Sequence, residues 1–270
     1  MFLKKALILF FVTSLFYSCG DFHKIMKSTS LTDKYAAAEK YYLKGDYFHA
    51  QQLFDELITY YRGTAQAEKI YYYYSYCYYG LNDYVSAAYY FSTFVTTYPN
   101  SKYTRECQYM SAYCTYLDSP DYSLDQTNTT AAIKELQLYV NMYPKSDSVK
   151  LCNILIDELR FKLETKEFEI SKMYFRMEDY KSAIVSFRNT LKDYPSTTYK
   201  EEILFYLMKA NFLYASNSIA SKKEGRYKDT IDAYDELLLA FPQTKYLKEA
   251  ESINKNALKE INKISGNKTT

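Results

Sequence analysis

Tryptophan is absent from this chain, histidine occurs twice, and glycine and proline number only six and five among 270 residues. Each shortage removes a class of chemistry. His23 and His49 stand apart in the sequence, neither with a partner at ligand or triad spacing, so a histidine-based metal or nucleophile site lacks its material. The six glycines are isolated, which excludes the glycine-rich loop that wraps phosphates. An excess of one charge is missing too. Basic residues number 34 against 32 acidic ones, and without Lys4 and Lys5 the two totals are equal. A nucleic-acid partner requires a concentrated basic face, so none is expected. No catalytic, cofactor-binding or metal residue emerges, no small-molecule substrate is implied, and the chain reads as a protein that is not an enzyme.

Long hydrophobic runs are also lacking. The apolar stretch from Ala6 to Tyr17 is twelve residues long, short of the roughly 20 that cross a bilayer. Lys4 and Lys5 precede it and Ser18-Cys19 follow it, so residues 1–18 read as a signal peptide. The cysteine at the cleavage point resembles a lipoprotein signal, which implies that Cys19 becomes the acylated first residue. Phe16 stands where that pattern prefers leucine, with Leu15 one position earlier. Dual acylation would bury enough methylenes for stable anchoring.

The scarce prolines are ordered. Four of the five close one phrase, in which an aromatic residue precedes the proline and, in three of the four, a second aromatic lies fifteen positions before it. Tyr47, Tyr84, Tyr180 and Tyr227 lead to Arg62, Pro99, Pro195 and Pro242, and Thr129 leads to Pro144 in a divergent copy. Inside each copy Ala50, Ala87, Ala132, Ala183 and Thr230 are small, and Phe54, Phe91, Leu136, Phe187 and Tyr234 follow four residues later. Tyr61, Tyr98, Tyr143, Tyr194 and Phe241 stand just before the closing residue. Positions i, i+4 and i+11 share one helical stripe, and a small side chain one turn from a large one lets crossing helices interdigitate. The expected fold is therefore all-α, a tetratricopeptide-like superhelical solenoid of about five helix pairs. The expected layout is a signal peptide at 1–18, a lipid-linked tether at 19–32, the repeat array at 33–264 and a disordered tail at 265–270.

Finer expectations follow. Gly45-Asp46, Asn82-Asp83, Glu178-Asp179 and Gly225-Arg226 mark the turn inside each pair. Asp33, Ser101 and Ser146 are placed to cap helices. The stretch from Asp147 to Met177 contains no proline or glycine and can run as one helix of about 45 Å. Asp118, Asp121 and Asp125 lie in a polar loop without the glycine and terminal glutamate of a calcium site. Acid pairs such as Asp55-Glu56, Asp157-Glu158 and Glu201-Glu202 read as solvated faces. Cys107 and Cys114 are about 10.5 Å apart along a helix, beyond disulfide reach, so Cys77, Cys107, Cys114 and Cys152 are expected as buried thiols.

What the chain has in excess is tyrosine: 34 residues, seven of them between positions 71 and 79. Tyr71, Tyr74 and Tyr78 share one helical face, and Tyr72, Tyr76 and Tyr79 share another. Burying both faces would take a hydrogen-bond partner for every phenol. One stripe is therefore expected to open into a groove for aromatic-rich extended peptides, with Tyr71, Tyr74, Tyr78, Tyr109 and Tyr113 as candidates, Tyr116 continuing the surface, and Arg62 positioned for a client carboxylate.

The segments Cys19–Thr29, Tyr61-Arg62-Gly63-Thr64, Leu117-Asp118-Ser119-Pro120, Asp157–Glu164 and Asp193–Thr197 resemble, in order and spacing, the BamD family of lipoproteins. The resemblance covers nearly all of the chain after the signal. It implies a periplasm-facing scaffold on the outer membrane that binds BamA, the barrel-forming subunit of the β-barrel assembly machinery, and receives unfolded outer-membrane clients through an aromatic-ended C-terminal signal. The first units would hold the client and later ones the partner. Tyr61-Arg62-Gly63-Thr64 replaces a longer stretch of other branches, which leaves individual client contacts open. An alternative is a tetratricopeptide lipoprotein that coordinates cell-wall synthesis or division, although the coiled coil common in such proteins is missing. A glycan-uptake lipoprotein would carry tryptophans and about twice the length.

Overall fold

The computed structural model describes residues 18–266, with side chains from Phe22 onward. The expected signal peptide, the side chain of Cys19 and the last four residues lie outside the described residues. Twelve helices and no strand occur among the described residues. They form an all-α, tetratricopeptide-like solenoid.

Five helix pairs follow one another: α2 (Leu31–Leu43) with α3 (Tyr47–Tyr60), α4 (Ala65–Gly80) with α5 (Tyr84–Thr97), and α6 (Thr104–Leu117) with α7 (Thr127–Met142). The last two are α8 (Val149–Arg176) with α9 (Tyr180–Asp193), and α10 (Lys200–Ser216) with α11 (Ala220–Ala240). A short α1 (Ser18–Met26) precedes them and α12 (Leu247–Gly266) follows. The chain divides into two compact units, one ending within α8 at Leu159 and the other comprising residues 160–266 with residues 121–123 of the α6–α7 loop.

The repeated phrase occupies the second helix of each pair. Ala50, Ala87, Ala132, Ala183 and Thr230 are fully buried, as are Phe54, Phe91, Leu136 and Phe187. Sequence spacing thus fixes the face that each of these helices turns inward. The long first helix of the fourth pair is also present, 28 residues from Val149 to Arg176.

Three of the turns are built alike. Gly45, Asn82 and Glu178 adopt positive φ of 77°, 59° and 60°, the left-handed geometry that closes a helix. In each, the next amide reaches back to the same helical carbonyl: Asp46 to Tyr41, Asp83 to Tyr78 and Asp179 to Tyr174. The aspartate then caps the second helix, its carboxylate accepting from the amides of His49, Ser86 and Ser182. The Asp-Tyr pair therefore marks an N-cap and the first helical residue.

Several expectations are corrected. Asp33 lies within α2, which Ser30 caps by accepting the Asp33 amide. Gly225-Arg226 is not a turn, because α11 begins at Ala220. Arg226 occupies the place of the capping aspartate and cannot accept an amide hydrogen bond. Its guanidinium instead lies 3.8 Å over the Tyr214 ring and donates to Ser218 Oγ, and the helix starts earlier. The segment read as a tether contains α1, held by Phe22, whose ring lies 4.2 Å from the His49 ring and 5.8 Å from that of Tyr41. His49 is accordingly half-buried and bonded to Asp46 through Nδ1.

Three of the pairs are closed by a recurring polar link. Thr197 Oγ1 donates to Glu164 at 2.6 Å and Thr244 Oγ1 to Glu201 at 2.7 Å, and Ser101 donates to Glu68. Each hydroxyl sits two residues after a proline of the phrase, so the loop that ends a pair is bonded back to the first helix of that same pair.

Gly80 marks the tightest approach. A Cβ there would overlap the Tyr47 ring, so Gly80→Ala should cost about 1–3 kcal/mol through overpacking. Gly225, with open space around it inside α11, should tolerate Ala or gain about 0.5–1 kcal/mol. Urea unfolding of the two variants checks both signs.

Candidate functional site

In the tyrosine-rich α4, one member of the stripe expected to face a groove, Tyr74, lies in the core, and Tyr71 and Tyr78 are half-buried. Tyr74 is only 3% exposed; its hydroxyl donates to Asp55 of α3 at 2.7 Å and shares a contact with Tyr78 at 3.1 Å. Tyr78 lies stacked on Tyr90 and accepts from Gln51. Tyr71 packs against Tyr90, Phe94 and Tyr98. Tyr74 is therefore a core residue, and Tyr71 and Tyr78 fill the seam between α4 and its flanking second helices. Burial of Tyr74 is possible because Asp55, expected to be merely solvated, supplies the acceptor that its hydroxyl needs.

The opposite stripe carries the continuous aromatic surface. Tyr42 of α2 lies 4.6 Å from Tyr73 of α4, and Tyr72 stacks on Tyr103 at 4.3 Å beside the start of α6. Tyr76 meets Tyr72 at 4.9 Å, and Tyr79 meets Tyr113 of α6 at 6.4 Å. On α6 the rings of Tyr109, Tyr113 and Tyr116 stack in near-parallel order at 5.7 and 5.9 Å. All of these side chains are half-buried, presenting part of a ring while the rest packs. They lie on, or immediately before, the first helices of three successive pairs.

Carboxylates organise the hydroxyls. Glu106 accepts from both Tyr72 and Tyr76, at 2.8 and 2.5 Å. Tyr35 donates to Glu39 at 2.9 Å, and Tyr116 to Glu158 of α8 at 2.7 Å. Lys69 bonds Glu39 at 2.7 Å and lies over the rings of Tyr35 and Tyr73. The surface thus alternates half-buried rings with fixed negative groups and the ammonium groups of Lys69 and Lys102, suited to holding an extended polypeptide through aromatic packing and main-chain hydrogen bonds.

Of the sequence candidates, Tyr109 and Tyr113 lie in this run of rings, Tyr74 is a core residue, and Tyr71 and Tyr78 are half-buried against α3 and α5. Arg62 is exposed in the α3–α4 turn, near enough to Tyr98 for its charge to oppose the rise that burial gives that phenol. Tyr72 and Tyr76, of the second stripe of α4, join the face together with Tyr73 and Tyr103, which helical periodicity does not single out. The acidic partners one repeat away, Glu106 above all, were the signal that could have found them.

The thiols of Cys77, Cys107, Cys114 and Cys152 are free and buried, and burial raises the pKa of each, to about 12 for Cys77 and Cys114. Among the described residues no group of His, Cys, Asp and Glu side chains is placed to hold a metal ion.

Burial pushes Tyr71 and Tyr109 up to about 12, and the hydrogen bond to Glu158 together with burial does the same for Tyr116. A pKa higher in the folded state than the unfolded value of 10.0 means that the folded form holds the proton more tightly. The stability these groups contribute is fully present below pH 10 and is lost as pH rises through about 12. Urea midpoints should stay level up to pH 10 and fall steeply above it, with tyrosinate absorbance appearing as the helices melt. Full ionisation of every tyrosine near pH 10 with helicity intact would contradict these placements.

A family model described as an outer membrane lipoprotein, YfiO, matches residues 27–226. Among solved structures the chain is similar to the TPR2AB domain of yeast Sti1 in its pHSP90 complex, at 13% identity and a TM-score of 0.38, over 84% of this chain and 98% of that one. No curated protein sequence matches. No helix among the described residues is long and apolar enough to cross a membrane. With its repeated helix pairs and a match over most of its length, the chain belongs to the YfiO family of outer membrane lipoproteins, the BamD family that its sequence resembles.

Proposed function

We propose that this protein is anchored to the outer membrane through an acylated Cys19, faces the periplasm, and acts as a non-catalytic scaffold in β-barrel protein assembly. In this reading the tyrosine face on α2, α4 and α6 receives the aromatic-ended C-terminal signal of unfolded outer-membrane clients, and the later helix pairs bind the periplasmic repeats of BamA. Family membership supports the setting. The observation that carries the client role is the unbroken run of half-buried rings from Tyr42 to Tyr116. Arg62 is assigned the client carboxylate, since a guanidinium at an exposed turn can pair with one bidentately.

Tyr72→Ala and Tyr113→Ala should each weaken binding of a C-terminal barrel-strand peptide about tenfold, the scale of a single aromatic anchor. Tyr60→Ala, at an exposed position away from the face, should leave it unchanged. Arg62→Ala should matter for the free-acid peptide and not for its amide. Equal affinity across the set would remove the face from client binding.

Cys19→Ala should move the chain from the membrane fraction to the soluble fraction. Tagged wild-type chain should recover a large outer-membrane barrel with periplasmic repeats; recovery of cell-wall synthesis enzymes alone would favour the division-coordinating alternative.

A further inference from the structure

The turn ends of the first two helix pairs carry large apolar side chains that the fold does not use. Leu43 is 80% exposed, Phe48 59%, Leu81 40% and Val85 64%. Phe48 and Val85 are equivalent positions, each following the capped tyrosine of its pair, and their counterparts in the fourth and fifth pairs are the exposed Lys181 and Lys228. The position therefore tolerates a charge, and its apolar character is confined to the first two pairs.

The two turns adjoin, because Gly80 at the end of α4 sits against the Tyr47 ring at the start of α3. Single exposed apolar residues need no explanation, but a contiguous set does. Leucine, phenylalanine and valine at a shared edge do not satisfy the hydrogen-bond needs of an extended peptide. Lys40 and Lys44 are exposed in and just after the last turn of α2, and the two acids of the turns, Asp46 and Asp83, are engaged as helix caps.

What lies next to this edge is the start of α1. Phe22 packs on Tyr41, in the last turn of α2, and on His49, in the first turn of α3, and the His49 ring in turn contacts Phe48 at 5.5 Å. The chain reaches Cys19 within one helical turn of Phe22. The attachment point of the proposed anchor is thus separated from the residues that Phe22 touches by no more than that turn.

We infer that the turn edge formed by Leu43, Phe48, Leu81 and Val85 is a second membrane contact, which lies in the headgroup region of a phospholipid bilayer and sets the orientation of the first helix pairs on it. The inference rests on the anchoring proposed above. A flexible anchor alone holds a protein near a surface without orienting it. A docked α1 and an apolar edge with flanking lysines give a two-point attachment, the second point favoured by the high local concentration that the first creates.

The absence of tryptophan makes the test direct. Phe48→Trp, Val85→Trp and Tyr60→Trp each introduce a single indole, the last at the other end of α3, about 18 Å from position 48 at 1.5 Å per residue. The chain from residue 19, with Cys19→Ser and an N-terminal polyhistidine segment, is held on vesicles of phosphatidylethanolamine and phosphatidylglycerol containing a nickel-chelating lipid. Emission at positions 48 and 85 should shift to the blue and be quenched by brominated lipid, with position 60 unaffected. Equal behaviour at all three positions, or no change at 48 and 85 while the chain remains on the vesicles, would overturn the inference. A blue shift that grows with protein concentration in the absence of lipid would overturn it too, since a second copy would then be the occupant. The artificial anchor makes the result independent of acylation: failure of the anchoring itself would be seen in the Cys19→Ala fractionation, not here.

Discussion

A phenol can leave water only when its hydroxyl keeps a hydrogen-bond partner, and that requirement organises the tyrosine-rich half of this protein. Asp55, Glu39, Glu106 and Glu158 each accept from tyrosine hydroxyls on a different helix or one turn away. A hydrogen bond to an ionised acceptor is worth more than a neutral one, and a buried hydroxyl without a partner is costly. With these carboxylates in place both faces of α4 can pack, one against the second helices and the other against the neighbouring first helices. Without them a helix bearing seven tyrosines in nine residues would have to leave one face in water.

The same acceptors produce the functional character of the surface. Because their hydroxyls are held, the rings of Tyr72, Tyr76 and Tyr116 are fixed in orientation, and a ligand that packs on them loses little additional freedom on binding. Stacking of Tyr109, Tyr113 and Tyr116 along α6 extends the fixed surface by about two helical turns. The repeat architecture supplies the register: capped turns at Asp46 and Asp83 set where α3 and α5 begin, and the close contact of Gly80 with Tyr47 sets how nearly the first two pairs approach. The edge of those turns, adjoining α1, and the tyrosine face of the first helices are separate features of the same unit, one suited to lipid and the other to polypeptide.

Much of the fold was legible because helical packing leaves a periodic trace. Small residues at Ala50, Ala87, Ala132 and Ala183, with large ones four positions later, are required wherever helices cross, so spacing alone identified the second helices and their inward faces. The fifth pair was misread at Gly225-Arg226 because a glycine followed by a polar residue resembles the other turns. The deciding feature was the missing carboxylate at Arg226, which removes the cap and lets α11 begin at Ala220. The site was half legible. The one-turn spacing that puts Tyr109, Tyr113 and Tyr116 on one face of α6 is readable from periodicity, but the packing of the two stripes of α4 depends on which acids meet them across the repeat. Asp55 lies 19 residues before Tyr74 and Glu106 lies 30 after Tyr76, a relation that periodicity within one helix cannot carry.

A double-mutant cycle on Tyr76 and Glu106, followed by equilibrium urea unfolding, tests the dependence on phenol–carboxylate pairing most directly. Tyr76→Phe and Glu106→Gln should each destabilise, and the double variant should be milder than their sum, with a coupling of about 1 kcal/mol. Strictly additive losses would show that the hydroxyl and the carboxylate act independently, and would contradict the account.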